Sequence, residues 1–411
     1  MANPIAVPGT VVPASSGVSP GGAQGLIGPV QVSADSGNIA QLGSDGLVLV
    51  PQSQITAVRL RSFNAVGNPN FEVDQRMCGT STPNVGAGVI IQDRWAGIKA
   101  GTLVASGQQM TGLVTVPGTS FAISNNYLRT TITTAQASLG ASDNLRLFQQ
   151  VEGPALRELI SDVTSLSLLV RSSVANLKFG VALQSPTGTV YSLVKLATIP
   201  SANTWTSIPL ANLPIWSASA TWPLTAGNLG YILTISLAAG SSVTTSANDV
   251  WVATSAYGAI GQSNLAATNG ATFDVACVQH EPGAAATQFM DLDFQTNLIQ
   301  CSRFYTKSYF YTTKAGTSLG GPAGVNGIVA AGNHPAMHVP FKTIMAKTPT
   351  VTIYSPNTGA ANNIYNYTAA ADAAVAGTTG VSDCMFGGCF LSAPPGSAYW
   401  ASFEYVADTA W

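Results

Sequence analysis

A 411-residue chain with three histidines, five cysteines and five glutamates has few groups with which to do chemistry. His334 and His338 are four residues apart, the spacing that puts two imidazoles on one helix face. The position directly after His334 is not glutamate but Pro335, which would break the helix, so the pair does not form a zinc-peptidase motif. His280 stands alone. No Cys-x-x-Cys pair is present for a zinc ribbon, and there is no Gly-Lys-Ser/Thr phosphate loop. Most of Cys78, Cys277, Cys301, Cys384 and Cys389 read as small buried apolar residues. Cys384 and Cys389 flank a candidate hairpin and could pair if oxidised.

Carboxylates are the remaining route to catalysis, and glycoside hydrolysis needs two of them across a cleft. The glutamates are Glu72, Glu152, Glu158, Glu281 and Glu404. Glu72 is expected to bond backbone N–H groups or Arg76, and Asp93, beside Arg94 and Trp95, to anchor a strand end from a buried position. Asp291 and Asp293 are expected to be solvated or to pair with Arg303; one Asp-x-Asp falls short of the six to eight oxygens that calcium takes. The repeats of a β-helix depolymerase are absent. No catalytic residue, metal ligand or cofactor is assigned. Binding chemistry is better supplied. Tyr191, Trp205, Trp216 and Trp222 cluster with Asn203 and Asn212, and aromatic faces beside amides suit the C–H faces and hydroxyls of sugars. The alternative for these aromatics is core or intersubunit packing. Trp95 is expected in the core and Trp411 against a neighbour.

The elements that must position these groups are strands. Only 8% of residues are charged, against about 25% in an average protein. That excludes charge-driven disorder and long helical bundles, which carry charge on their outer faces. Sixteen basic against 18 acidic residues leave no excess for nucleic acid. The 41 glycines and 23 prolines suit turns, while 46% hydrophobic residues supply ample core. A surface so poor in charge has little electrostatic protection against association, which favours an oligomer. No apolar run reaches a membrane-spanning length. Pro4, Pro8 and Pro13 interrupt the place of a secretory signal, so assembly in a reducing cytosol is expected.

Residues 1–62 have no aromatic and no basic residue before Arg59, and read as an extended arm with one short hairpin around Asp45-Gly46. Residues 63–295 carry short apolar or alternating runs at 89–91, 166–170, 179–183, 231–237 and 250–254, the pattern of a jelly roll. One short helix is expected at 154–160, with Pro154 in its first turn. Residues 296–411 read as a smaller β domain: a helix passing into a strand within 296–311, strands at 350–354, 386–391 and 401–407, and a surface loop or weak hairpin over 357–380.

Several motifs occur in a telling order. Asn68, Phe71, Glu72, Gln75 and Arg76 precede Asp93-Arg94-Trp95; Glu152-Gly153 and the strand at 166–173 follow; then come Gln279, Glu281, Pro282, Gly283, Thr287 and Phe289, and finally Cys301, Arg303, Phe304 and Tyr305. This series resembles bacteriophage tail-fibre and virion-fibre proteins whose jelly rolls look like carbohydrate-binding modules. His280 departs from the family's usual Leu, and 185–230 matches nothing in the pattern. The arm, with its Ser33-Ala34-Asp35-Ser36-Gly37 and Asp45-Gly46 segments, resembles the anchoring ends of phage fibres.

The resemblance implies an all-β virion structural protein, assembled in the host cytoplasm. It would have an extended anchor (1–62), a jelly-roll β-sandwich (63–295) and a smaller C-terminal β-sandwich (296–411). It implies a non-enzymatic tail-fibre subunit, a homotrimer, attached through 1–62 to a tail or capsid protein and binding host surface polysaccharide multivalently, without nucleic acid or membrane insertion. The alternatives are a head fibre or capsid decoration protein, a glycan-degrading tailspike, and a cellular carbohydrate-binding module.

Overall fold

The computed structural model describes residues 63–409, apart from 87, 322, 332–335 and 394, together with the backbone of two short strands at 41–42 and 48–49. The chain divides into Met1–Ser62 and Phe63–Trp411. In the first unit, β1 (Gln41–Leu42) and β2 (Val48–Leu49) pair antiparallel, Gln41 opposite Leu49, on either side of Asp45-Gly46 as expected. The rest of the expected arm lies outside the described residues, as do His334 and Trp411.

The second unit opens with β3 (Val89–Gln92), β4 (Trp95–Ala100), the long hairpin of β5 (Val104–Thr115) and β6 (Ala122–Thr134), and β7 (Asn144–Glu152). A one-turn helix, α1 (Gly153–Arg157), follows with proline at its start, close to the expected position. Next come β8 (Thr164–Ser172), β9 (Leu177–Gln184), β10 (Ser192–Ile199), β11 (Thr206–Leu213), β12 (Leu229–Ala239), β13 (Trp251–Val252) and β14 (Thr272–Pro282). They form a seven-stranded sheet, ordered β13-β10-β9-β12-β7-β4-β3, and a five-stranded sheet, ordered β11-β8-β14-β6-β5. Every pairing in these sheets is antiparallel.

Alternation decides which residues enter the core between the sheets. Leu166, Leu168 and Val170 of β8 point in, as do Leu233, Ile235 and Leu237 of β12. Phe179 and Phe273 meet edge to face at 5.2 Å, and Phe71 packs on Trp95 at 5.0 Å. Each of these large side chains contributes about 1.5–3 kcal/mol by leaving water. The strand expected at 250–254 shortens to the two residues of β13, because Asp249 turns with φ of 68° and gives its N–H to Val194.

A helix, α2 (Phe294–Ser302), is capped by Asp293, whose carboxylate accepts the N–H groups of Gln295 and Thr296. It runs into β15 (Tyr305–Lys307), as the sequence implies. The remaining strands are β16 (Val325–Val329), β17 (Ala336–Pro340), β18 (Thr350–Tyr354), β19 (Asn363–Asn366), β20 (Ala371–Thr378), β21 (Met385–Leu391) and β22 (Tyr399–Asp408). The long strand β22 bonds β15 and β18 through its C-terminal half and β16 and β19 through its N-terminal half, drawing eight strands into one sheet. Its core is separate from the first and centres on Phe386, Phe403, Tyr405 and Phe341. The segment 357–380 is the hairpin of β19 and β20 rather than an open loop. Asp372 fixes it by accepting the hydroxyls of Ser355 and Thr358.

The opening motif lies where the two cores meet. Asn68, held at φ of 49°, accepts the Val73 N–H at 3.0 Å and donates to the carbonyls of Val73 and Asp93 at 2.7 and 2.9 Å. Asp93 is buried, as expected, and accepts the Gln75 N–H. Burial pushes its carboxyl up to about 7, although Arg76 lies 3.9 Å away. Arg76 does not pair with Glu72. It forks onto Asp408 of β22 and stacks on the Tyr305 ring at 4.2 Å, because the fold brings the end of β22 to it. Glu72 accepts instead from Asn70 Nδ2, at 3.4 Å. The Gln75 side chain donates to the Tyr305 carbonyl, and buried Lys307 donates to the carbonyls of Gln75, Tyr311 and Thr313. The motif thus acts as a polar clamp between the two sheet systems. Asp291 and Asp293 do not reach Arg303. Asp291 accepts from Asn70, Asp293 caps α2, and Arg303 pairs with Glu152.

Candidate binding cleft on the five-stranded sheet

The face of the five-stranded sheet turned away from the core carries a row built by register. Asp274 of β14 sits opposite Arg129 of β6 on one side and Arg171 of β8 on the other. It is buried and takes both guanidinium groups: Arg129 Nε at 2.7 Å and Arg171 Nη2 at 2.7 Å. The hydrogen bonds that Arg129 donates to Asp274 hold its guanidinium above its ordinary pKa. Gln108 of β5 continues the row beyond Arg129. Trp205, immediately before β11, ends it, with the Arg171 guanidinium 4.6 Å from its ring centroid. Tyr127 meets Trp205 edge to face at 5.4 Å.

Next to this row is a cleft of about 290 Å³. Ser167, Leu169 and Cys277 form its floor, Ser207 and Pro209 of β11 one wall, and Val116, Pro117 and Ile123 of the β5–β6 hairpin the other. Thr287, Gln288 and Phe289 lean over it. The motif at 279–289 sets that last wall. Glu281 accepts the Thr287 N–H and hydroxyl, both at 2.7 Å, and the Gln279 amide at 2.9 Å; Gln279 Oε1 in turn accepts the Met290 N–H at 2.8 Å. Leu169 belongs both to the cleft and to the cluster of Tyr127, Trp205 and Phe289, so the cleft and the charged row share one apolar support.

The lining is apolar surface edged by neutral hydroxyls and an amide. Its thiol is no nucleophile near neutral pH, because burial pushes Cys277 up to about 12. Such walls can hold a neutral ligand with both apolar and hydroxyl faces. They hold no carboxylate pair placed for acid–base work. Glu281 is occupied by its own loop, and Asp274 by two arginines.

The structure separates the aromatics that the sequence groups together. Trp205 supports the cleft face but is itself buried, with Arg171 on its ring. Trp216 is also buried and lies among Trp222 at 4.9 Å, Tyr231 at 5.2 Å, Trp251 at 5.7 Å and His280 at 5.9 Å, closing the main core. The indole N–H groups of Trp222 and Trp251 are given to the carbonyls of Ser217 and Ile215. Tyr191 is half-buried in the β9–β10 turn of the seven-stranded sheet, where its backbone bonds Ser185. Trp216 and Trp222 are therefore brought together, while Trp205 and Tyr191 stand elsewhere. The residues missed from sequence are Tyr127, Leu169, Arg171, Ser207 and Asp274. Only the period-2 outward positions of β6, β8, β11 and β14 could have pointed to them. Cys384 is exposed, Cys389 is buried, and both are free thiols.

No protein-family model matches the chain, and no curated protein matches it by sequence. Solved structures show a distant similarity over about half of it. A family 61 carbohydrate-binding module in complex with β-1,4-galactotriose is 12% identical, over 54% of this chain and 100% of that one, with a TM-score of 0.27. A family 11 module from Clostridium thermocellum, in complex with a β-1,3-1,4-mixed-linked tetrasaccharide, is 11% identical over 49% and 97%, with a TM-score of 0.27. The enzymatically active domain of tailspike protein 4 of bacteriophage CBA120 is 12% identical over 54% and 21%, with a TM-score of 0.28.

Proposed function

We propose that this chain is a non-enzymatic glycan-binding subunit of a bacteriophage fibre, and that host polysaccharide enters the cleft on the five-stranded sheet. The observation that carries the binding reading is the lining of that cleft: Leu169, Pro209 and Phe289 offer apolar surface for a sugar's C–H faces, while Ser167, Ser207, Thr287 and Gln288 offer its hydroxyls neutral partners. The order of the sequence motifs supports the fibre assignment, and the motif that fixes the cleft wall belongs to that series. Glu152, Glu281 and Glu404 all hold hydrogen bonds within the chain, which favours binding over hydrolysis.

A site of this size gives weak single contacts. Several copies on a fibre and several fibres on a particle would raise avidity without stronger sites. The arm at 1–62 would fix the subunit to a tail or capsid protein, and a homotrimer would cover its weakly charged surface.

The test is titration of the full chain with host capsule and cell-wall polysaccharides. Ser207→Phe, at an exposed cleft position, should weaken binding at least tenfold without changing the melting temperature. Binding that survives this substitution unchanged, or none to any polysaccharide, would refute the reading. Release of oligosaccharide during incubation would favour the tailspike alternative. Location of the subunit on a particle separates tail from head fibre, and normal incorporation after deletion of 1–62 would sink the anchor.

A further inference from the structure

A second cleft, of about 320 Å³, opens between the segment at 63–67, α1 and α2. Phe63, Pro154 and Phe304 supply apolar wall, and Gln300 stands exposed at the rim. Arg94 is the unusual group there. Its residue is only 6% exposed, and its guanidinium lies 3.5 Å from the Phe304 ring centroid. Nη2 donates to the Gln150 carbonyl, but Nη1 is buried without a hydrogen-bond partner. At Gly67 a Cβ would come within 3.2 Å of Arg94 Nε, so a glycine leaves the guanidinium room.

The neighbouring acids, Asp93 and the cleft-lining Glu152, act on Arg94 only through space, because each is bonded elsewhere. Glu152 is forked onto Arg303 at 2.8 and 3.1 Å and accepts the Gly227 N–H at 2.8 Å. Asp93 faces Gln75 and Arg76. A buried cation without a dedicated counter-ion is costly, and a charge-assisted bond to an anion would relieve it. Burial already pulls the Arg94 guanidinium down to about 10.

We infer that this cleft is a binding site for the carboxylate of a small organic acid, with Arg94 Nη1 as the donor that receives it and the walls at Phe63, Pro154 and Phe304 holding the rest of the molecule. The site is distinct from the cleft on the five-stranded sheet and does not depend on what that cleft binds. A sugar acid and an acidic peptide side chain share the required group.

Calorimetric titration of the full chain at low salt with glucuronate, with N-acetylglutamate α-amide and with neutral methyl glucoside distinguishes the sources. At least one of the two acids should bind and methyl glucoside should not. The Gln300→Lys variant should tighten acid binding about threefold and Gln300→Glu weaken it by as much, since a rim charge acts on the anion without disturbing packing. Arg94→Gln, checked for an unchanged melting profile, should abolish it. Binding of neither acid, equal binding of methyl glucoside, or indifference to both Gln300 variants would overturn the inference.

Discussion

Replacing His280 should flatten the acid side of the protein's stability profile. The imidazole is wholly buried between Tyr231, whose hydroxyl lies 2.7 Å from Nδ1, and Thr164, whose hydroxyl lies 3.1 Å from Nε2, with the Trp216 ring alongside. No carboxylate is bonded to it, and burial lowers it from 6.5 to about 3. A folded-state pKa below the unfolded one means that the unfolded chain binds the proton first. The contribution is therefore fully present above about pH 6.5 and is lost as pH falls toward 3. The whole span corresponds to roughly 5 kcal/mol, and lowering the pH from about 7 to about 4.5 should remove about 2–3 kcal/mol.

Asp93 works in the opposite sense. Its raised pKa gives stability that is present below its unfolded value near 4 and lost as pH rises toward 7. The readable quantity is therefore the difference between the wild type and His280→Gln in urea unfolding at a series of pH values. The variant starts less stable at neutral pH because it loses packing, and the two curves should converge as the medium is acidified. Parallel curves from pH 7 to 4.5 would show that the imidazole is not held neutral by burial, and the argument would fail.

Three further outcomes follow from the packing. Asp274→Asn leaves Arg129 and Arg171 on adjacent strands without their shared counter-ion; because their side chains are 30% and 23% exposed, the loss should be about 2 kcal/mol by thermal unfolding, below the 3–5 of a fully buried pair. Gly240→Ala would place a Cβ 2.1 Å from the Gly140 carbonyl oxygen, a rigid backbone atom, and should cost about 3 kcal/mol or prevent soluble expression, whereas Gly270→Ala, in open space at φ of 77°, should cost about 1 kcal/mol. A double-mutant cycle of Arg76→Met and Asp408→Asn should give a coupling of about 1–2 kcal/mol, and a coupling near zero would show that this fork does not fasten the two sheet systems together.

Local physics made the elements legible. Alternating apolar residues mark β8, β9 and β12; Asp-Gly marks the β1–β2 hairpin; Pro154 marks the start of α1, whereas the capping of α2 by Asp293 is decided by the fold. The polar strands β5 and β6 escaped notice, because Gln, Asn and Thr at outward positions hide their period. The burial of Asp93 and Trp95 was legible from their setting in the opening motif.

Which side chains share a site was not legible, because antiparallel pairing joins residues far apart in sequence. Asp274 meets arginines 145 and 103 positions away, and Arg76 finds its carboxylate 332 positions on. Trp205 and Trp216 are near neighbours in the chain, yet the strand between them carries one to the outer face of a sheet and the other into the core. Composition and periodicity are properties of neighbours along the chain and fix strands and turns. Register is a property of neighbours across a sheet, so only the folded arrangement determined where the clefts lie and which charges they contain.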